Sequence, residues 1–142
     1  MIKRVFIDTN VMLDFLGERH PFYTPVAQLA TLAEKKKITM VVSPISFATV
    51  NYLLSKYENA KIALEKLRKF KIICEICDIN ENTVEKALNS GFNDFEDALQ
   101  YFNATDSNCD ILITRNEKDF NKSLLPIMNA DEFLKSIQLT NE

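Results

Sequence analysis

Five short apolar runs, separated by segments with helical periodicity, constrain the fold of this chain more than any other feature. The runs cover residues 3–8, 38–43, 71–76, 110–114 and 125–128. The helical patterns cover residues 11–16, 24–36, 45–57, 58–70, 80–90, 94–106, 116–121 and 130–137. Strands that alternate with helices form a parallel sheet covered on both faces. We therefore predict an α/β fold, a three-layer α/β/α sandwich with a central parallel sheet of about five strands, built as a single domain over residues 1–142.

The composition is that of an ordinary globular protein, with 46% hydrophobic and 26% charged residues. No apolar run approaches the ~20 residues that a membrane helix needs, and the start, MIKRVFID, lacks the apolar stretch of a signal peptide. The three cysteines argue against a disulfide framework because their number is odd. We expect a cytoplasmic protein without membrane association.

Charge is distributed unevenly although the net charge is only −3. Residues 34–71 carry nine Lys or Arg and three acids, whereas residues 75–110 carry nine acids and Lys86 alone. A metal-binding acidic site beside a phosphate-attracting surface would have this pattern, and so would two solvated helix faces. Charge alone favours the solvated faces.

The first motif is VFIDTN, in which an apolar strand runs directly into Asp8, Thr9 and Asn10. Asp, Thr and Asn all accept hydrogen bonds from the free N–H groups of a new helix, so helix capping is one interpretation. Ligands bind at the carboxyl ends of strands in an open parallel sheet, so Asp8 is equally well placed for a binding site.

The second motif is NDFEDALQYF, residues 93–102. Its predicted buried stripe consists of Phe95, Ala98, Leu99 and Phe102. Asp94 and Asp97 fall on the flank of that stripe. Asp94 lies in the first turn of the helix, where the macrodipole favours any acid, so its position also has a structural explanation. Asp97 lies one turn deeper, and a carboxylate beside a buried face needs a partner, which can be a metal ion. We assign Glu96 to structure, as the capping-box partner of Asn93.

The third motif is ILITRNEKDF, in which a short strand ends at Thr114 and is followed by Asn116 and Asp119. Because the carboxyl ends of parallel strands share one edge of the sheet, the three polar motifs can meet there. Carboxylate and amide oxygens suit a hard divalent cation. Arg115, Lys118 and Lys122 lie beside this site and are candidate phosphate contacts.

Taken together, VFIDTNVMLDFL, DFEDALQYFNA and ILITRNEKDF resemble the PIN-domain family, in particular its toxin ribonucleases of the VapC type, over nearly the whole chain. The resemblance implies an α/β/α sandwich, a Mg²⁺- or Mn²⁺-dependent ribonuclease activity, a homodimer, and a cognate antitoxin protein as partner. Asp8 matches the family's first metal-binding aspartate, and Asp97 matches the aspartate on the later helix.

Two positions depart from the family pattern. Many members carry Glu where Thr49 stands and Asp where Asn116 stands, so this site has less negative charge, and the sequence leaves open whether Asp94 or Asn51 compensates. A PIN-like RNA-binding or regulatory domain that has lost catalysis is therefore the main alternative. A haloacid-dehalogenase-like phosphatase ranks last because it needs a second Asp where this chain has Asn10.

Our leading hypothesis is a metal-dependent endoribonuclease that acts on single-stranded or looped RNA, as the toxin of a toxin–antitoxin pair. Asp8 and Asp97 are the predicted metal ligands. The predicted catalytic group is Asp8, Asp94, Asp97 and Asn116. The predicted substrate and supporting contacts are Thr9, Asn10, Thr114, Arg115, Lys118 and Asp119.

Two other chemistries lack the necessary parts. Cys74 and Cys77 have redox-motif spacing, but residues three apart on a strand face opposite sides. His20 is the only histidine, so Ser/His or Cys/His catalysis and a His-ligated zinc site are not supported.

Overall fold

The apolar runs form one five-stranded sheet in which every pair of neighbouring strands is parallel. The computed structural model describes residues 2–141, so residues 1 and 142 of the predicted domain lie outside it. The strands are β1 (Lys3–Ile7), β2 (Ile38–Val42), β3 (Cys74–Ile76), β4 (Ile111–Ile113) and β5 (Ile127–Met128). Their order is β3-β2-β1-β4-β5, which makes β1 the central strand.

Helices connect the strands, as parallel pairing requires. They are α1 (Thr9–Leu16), α2 (Tyr23–Glu34), α3 (Pro44–Tyr57), α4 (Ala60–Ile72), α5 (Glu81–Leu88), α6 (Phe95–Asp106) and α7 (Ala130–Asn141), with a 3₁₀ helix at Glu117–Phe120. Side-chain oxygens of Ser43, Asn59 and Asn80 accept hydrogen bonds from first-turn N–H groups and fix the starts of α3, α4 and α5.

Alternation along the strands divides the core into two layers. In β1, Val5 and Ile7 face one layer, which contains buried residues of α1, α2, α3, α4 and α7. Phe6 faces the other layer, together with Tyr101 of α6 and Phe120 of the 3₁₀ helix. The predicted three-layer sandwich is confirmed, because helical residues pack on both faces of one parallel sheet.

The two cysteines of the redox-like spacing lie in different layers, as strand geometry predicts. Cys74 packs with the first layer and Cys77 belongs to the second. Burial raises the pKa of Cys74 to about 12, so its thiol stays protonated and unreactive near neutral pH. No helix within residues 2–141 is long and apolar enough to cross a membrane.

Two local predictions are wrong. The predicted strand at 71–76 starts only at Cys74, because α4 continues to Ile72. Ala63, Leu67 and Phe70 are buried at helical spacing in α4, so tertiary packing extends the helix into the apolar run. In α6, Phe95 is 45% exposed, since it lies in the first turn, beyond the buried part of the helix.

Candidate active site

The site lies where the chain order of the sheet reverses. The connection after β3 brings the chain back across the sheet, so that β4 pairs with β1 on the side opposite β2. Asp8 follows β1 and Thr114 follows β4, at the crevice where open α/β sheets bind ligands. The Asp8 N–H donates to the Ile113 carbonyl oxygen (3.0 Å), and the Thr114 hydroxyl donates to Asp8 Oδ2 (2.8 Å).

Asp8 is held in one orientation by its hydrogen bonds. It is 5% exposed, and its Oδ1 accepts from the Thr9 N–H (2.8 Å) and from Gln100 Nε2 (3.3 Å). Burial raises the pKa of Asp8, whereas the hydrogen bonds from Thr114, Thr9 and Gln100 oppose that rise. Asp8 also occupies the N-cap of α1, so capping and binding are compatible at this residue.

An acidic pocket of about 340 Å³ opens beside Asp8. It is lined by Asp8, Thr9, Asn10, Thr49, Asp94, Glu96, Asp97, Gln100, Asn116 and Asp119. Five of these ten residues are carboxylates, and none is Lys, Arg or His. The structure therefore brings together members of all three predicted motifs in a pocket with a large excess of negative charge.

The excess charge shows most clearly at Asp97. Partial burial, together with the carboxylates of Asp94, Asp8 and Asp119, raises the pKa of Asp97 to about 7. The pKa of Glu96 is raised by burial and by Asp94 and Asp8. A cation in the pocket would relieve this repulsion.

The donor set fits Mg²⁺ or Mn²⁺ better than a structural zinc ion. Within residues 2–141, no three His, Cys, Asp or Glu side chains converge closely enough to hold a metal by themselves. Mg²⁺ takes oxygen ligands and is commonly bound through one or two carboxylates, with water completing its octahedral shell. Asp8 and Asp97 can supply these carboxylates.

The start of α6 differs from the prediction by one residue. Asp94, not Asn93, is the N-cap, and its Oδ1 accepts from the Asp97 N–H (3.0 Å). Glu96 is therefore not the capping-box partner that the sequence indicated, and it lines the acidic pocket instead. Asp94 caps the helix and faces the pocket at the same time.

The segment after β4 contributes Asn116 and Asp119 to the acidic pocket. The Asn116 N–H donates to the Thr114 hydroxyl (3.0 Å), which itself donates to Asp8. Thr49, the other departure from the family pattern, also lines the pocket, whereas Asn51 does not. Both positions that lack the usual acid thus lie where an added carboxylate would reach the site.

The structure does not bring Arg115 into the acidic pocket. Its Nε and Nη2 donate to the two carboxylate oxygens of Asp14 at 2.7 and 3.2 Å, and its guanidinium lies 4.0 Å from the ring centroid of Phe22. Asp14 is fully buried (0% exposed), so Arg115 neutralises an interior charge. Lys118 is not among the residues that line the pocket.

Sequence reasoning missed Gln100 and Ser46. Gln100 is 1% exposed, and its amide donates to Asp8, Thr9 and Ser46. The available signal was a polar residue inside the apolar stretch ALQYF, since a buried amide needs hydrogen-bond partners.

A family model described as "PIN domain" matches residues 4–118, and the chain belongs to the PIN-domain family. Among its relatives is Ribonuclease VapC1 of Aquifex aeolicus (strain VF5), 30% identical over 136 residues, which cover 92% of this chain and 93% of the relative. The predicted family is confirmed, and the phosphatase alternative receives no support.

Solved structures share the fold at lower identity. DNA-bound VapBC from Salmonella typhimurium matches with a TM-score of 0.68 and 17% identity, covering 92% of this chain and 99% of that chain. VapBC2 from Rickettsia felis, bound to a promoter DNA fragment, matches with a TM-score of 0.66 and 23% identity. The match covers 89% of this chain and 98% of that chain. Mycobacterium tuberculosis VapC20, a Sarcin-Ricin loop cleaving toxin, matches with a TM-score of 0.61 and 13% identity. The match covers 76% of this chain and 86% of that chain.

Proposed function

We propose that this protein is a Mg²⁺- or Mn²⁺-dependent endoribonuclease and the toxin component of a toxin–antitoxin pair. The observation that carries the proposal is the acidic pocket, where five carboxylates and no cationic side chain surround the end of the central strand. The name of the Aquifex aeolicus relative, a ribonuclease, supports RNA as the substrate.

Asp8 and Asp97 are the residues that would hold the cation. When bound, a divalent cation supplies an acidified water and neutralises the charge that develops on a phosphate during hydrolysis. Asp8 presents a carboxylate that Thr114, Thr9 and Gln100 hold in place, so little reorganisation is needed. Asp97 must be deprotonated to serve as a ligand, and because its pKa is raised to about 7 we expect it to lose this proton near neutral pH.

The remaining pocket residues would orient water and substrate through neutral or outer contacts. Asn116 and Thr49 offer an amide and a hydroxyl, which donate as well as accept hydrogen bonds and so can contact phosphate oxygens. Single-stranded or looped RNA is the expected substrate class, because its backbone can enter a pocket that a duplex cannot.

Two partner proposals accompany this activity. The structural matches that are toxin–antitoxin complexes support an antitoxin protein that binds this chain, and the family membership supports a homodimer. Light scattering of the purified chain should give the mass of a dimer. A monomer at high micromolar concentration would contradict the homodimer proposal. Three unpaired cysteines fit a cytoplasmic protein, where thiols stay reduced.

A second candidate function is RNA binding without cleavage. Thr49 and Asn116 favour it, because both line the pocket without adding charge. Calorimetry separates the two functions: saturable Mn²⁺ binding at or below millimolar concentration supports the nuclease, whereas RNA affinity without such binding supports the binder.

The direct test is incubation of the purified, antitoxin-free protein with a panel of structured and unstructured RNAs. We expect cleavage with Mg²⁺ or Mn²⁺ and none with EDTA. Inactivity on all RNAs with either metal would contradict the proposal, and cleavage that persists in EDTA would contradict its metal dependence.

A further inference from the structure

One buried amide joins three separate segments of the chain at the acidic pocket. Gln100 Nε2, on α6, lies 2.8 Å from Thr9 Oγ1 of α1, 2.9 Å from Ser46 Oγ of α3 and 3.3 Å from Asp8 Oδ1. The Thr9 and Ser46 hydroxyls lie 2.7 Å apart, so the four groups form one connected network. An amide nitrogen has only two hydrogens, so these three acceptors share them.

This network fixes α6 relative to the end of β1. Gln100 follows Asp97 by three residues on the same helix, a rise of about 4.5 Å, so any sliding of α6 moves both side chains together. Many of the other contacts of α6 with the sheet are apolar, such as those in the layer of Tyr101, Ala104 and Phe6. Its polar contacts away from the pocket lie toward its C-terminal end, where Asn103 donates to the Asp78 carbonyl oxygen and Arg4 donates to the carbonyl oxygen of the C-cap residue. Apolar burial is non-directional and restrains sliding poorly, whereas hydrogen bonds specify a position.

From this geometry we propose that Gln100 is a positioning residue for the cation site: it sets the separation between Asp8 and Asp97 and the orientation of the Asp8 carboxylate. The inference rests on the proposed function, because it assigns Gln100 a role toward the same cation. Side chains that support metal ligands by hydrogen bonding commonly change metal affinity 10–100-fold when they are replaced.

A neutral donor is the appropriate group at this position. A Lys or Arg side chain would hold Asp8 equally well, but its charge would compete with the cation for the carboxylates. An aliphatic side chain would fill the space without orienting the carboxylate. Gln100 restrains Asp8 and leaves the negative charge of the pocket uncompensated.

Cation selectivity distinguishes positioning from simple stabilisation. Mg²⁺ demands near-ideal octahedral geometry, whereas Ca²⁺ accepts six to eight ligands in flexible arrangements. A site whose two carboxylates are no longer held at a fixed separation should therefore lose affinity for the small ion more than for Ca²⁺.

The test compares Gln100→Met with the matched control Asn103→Leu. Asn103 is also a buried amide of α6 (0% exposed), but it donates to the Asp78 carbonyl oxygen (3.2 Å) and does not line the pocket. Neither Gln100 Oε1 nor Asn103 Oδ1 accepts a hydrogen bond from the described residues, so the two substitutions remove similar groups. Melting curves in EDTA report the fold of each variant.

Mg²⁺, Mn²⁺ and Ca²⁺ affinities are then measured by titration calorimetry, without RNA. We expect Gln100→Met to weaken Mg²⁺ and Mn²⁺ binding by about 10–100-fold and Ca²⁺ binding by a smaller factor. Asn103→Leu should leave all three affinities at the parent values. Should Gln100→Met fail to fold, the shorter amide in Gln100→Asn is expected to shift the Mg²⁺-to-Ca²⁺ affinity ratio in the same direction.

Two results would overturn the inference alone: parent-like Mg²⁺ and Mn²⁺ affinity in the Gln100 variant, or equal losses for all three ions. A parent protein without saturable Mg²⁺ or Mn²⁺ binding would instead overturn the proposed function, and this inference with it.

Discussion

Replacing Asp97 by Asn should stabilise the metal-free protein while weakening its metal site. Burial and the carboxylates of Asp94, Asp8 and Asp119 raise the pKa of Asp97 from its ordinary 3.8 to about 7. The unfolded chain releases this proton near pH 4, and the folded chain keeps it until about pH 7. The folded state therefore binds more protons between these values, and its stability falls as pH rises through them.

The size of the effect follows from the two pKa values. At 1.36 kcal/mol per pH unit the full difference corresponds to about 4 kcal/mol. Because Asp97 is only partly buried, solvent screening reduces this to about 1–2 kcal/mol. The loss of folding stability is absent below pH 4, develops between pH 4 and 7, and is complete above pH 7. Asn carries no ionisable group, so the Asp97→Asn variant does not lose this stability.

The assay is calorimetric melting of the parent, Asp97→Asn and Asp78→Asn in EDTA at pH 8 and at pH 4. Asp78 is an exposed acid outside the pocket, so its variant controls for the change in net charge. For a chain of this length we expect Asp97→Asn to melt about 3–7 °C above the parent at pH 8 and near it at pH 4. If Asp97→Asn melts no higher than the parent at pH 8, or exceeds the parent by the same amount at pH 4, the electrostatic reasoning is refuted.

Three further perturbations follow from the same geometry. Asn116→Asp adds a carboxylate to the pocket, so Mn²⁺ should raise its melting temperature more than that of the parent; an equal rise would mean that residue 116 does not face the metal. Mn²⁺ affinity measured by calorimetry should fall about tenfold per pH unit below pH 7, because Asp97 must lose its proton, and a flat profile would contradict this. Arg115→Met should cost about 3 kcal/mol in urea unfolding, because buried Asp14 loses its bidentate partner and, among the residues that the structure describes, keeps an ion pair only with Arg19, at 3.4 Å. An unchanged urea midpoint would refute that role of Arg115.

The fold was predictable because local periodicity and tertiary packing agree in the central strands. In β1, Val5 and Ile7 face one layer and Phe6 the other, as the parallel-sheet interpretation requires. At 71–76 the two signals conflict. The apolar run indicates a strand, but Phe70 already packs as part of a helical face, and a single sequence does not show which neighbour will cover it.

The place of Asp8 in the site was predictable for a different reason. Polar residues directly after the strands have to meet at one edge of a parallel sheet, so Asp8 and Thr114 could be placed together before their contact was seen. Gln100 was missed because its partners lie far away in the sequence: Thr9 is 91 residues away and Ser46 is 54. Only the folded arrangement of three helices identifies them.

Arg115 shows a limit of reasoning from sequence neighbours. It directly follows Thr114, and that proximity suggested a common site. The chain bends at Arg115, however, and the Thr114 side chain contacts Asp8 while the Arg115 side chain contacts Asp14. Asp14 lies 101 residues away in the sequence, so proximity along the chain does not identify it as the partner of Arg115.

RNA cleavage by matched charge variants tests the central claim most directly. The parent, Asp97→Asn and Asp78→Asn, each shown to be folded, are incubated with the same cleavable RNA at saturating Mn²⁺ and pH 8. If the acidic pocket is the catalytic site, the parent and Asp78→Asn cleave at the same rate and Asp97→Asn loses most of its activity. Cleavage by Asp97→Asn at the parental rate would show that the reaction does not depend on the acidic pocket as described.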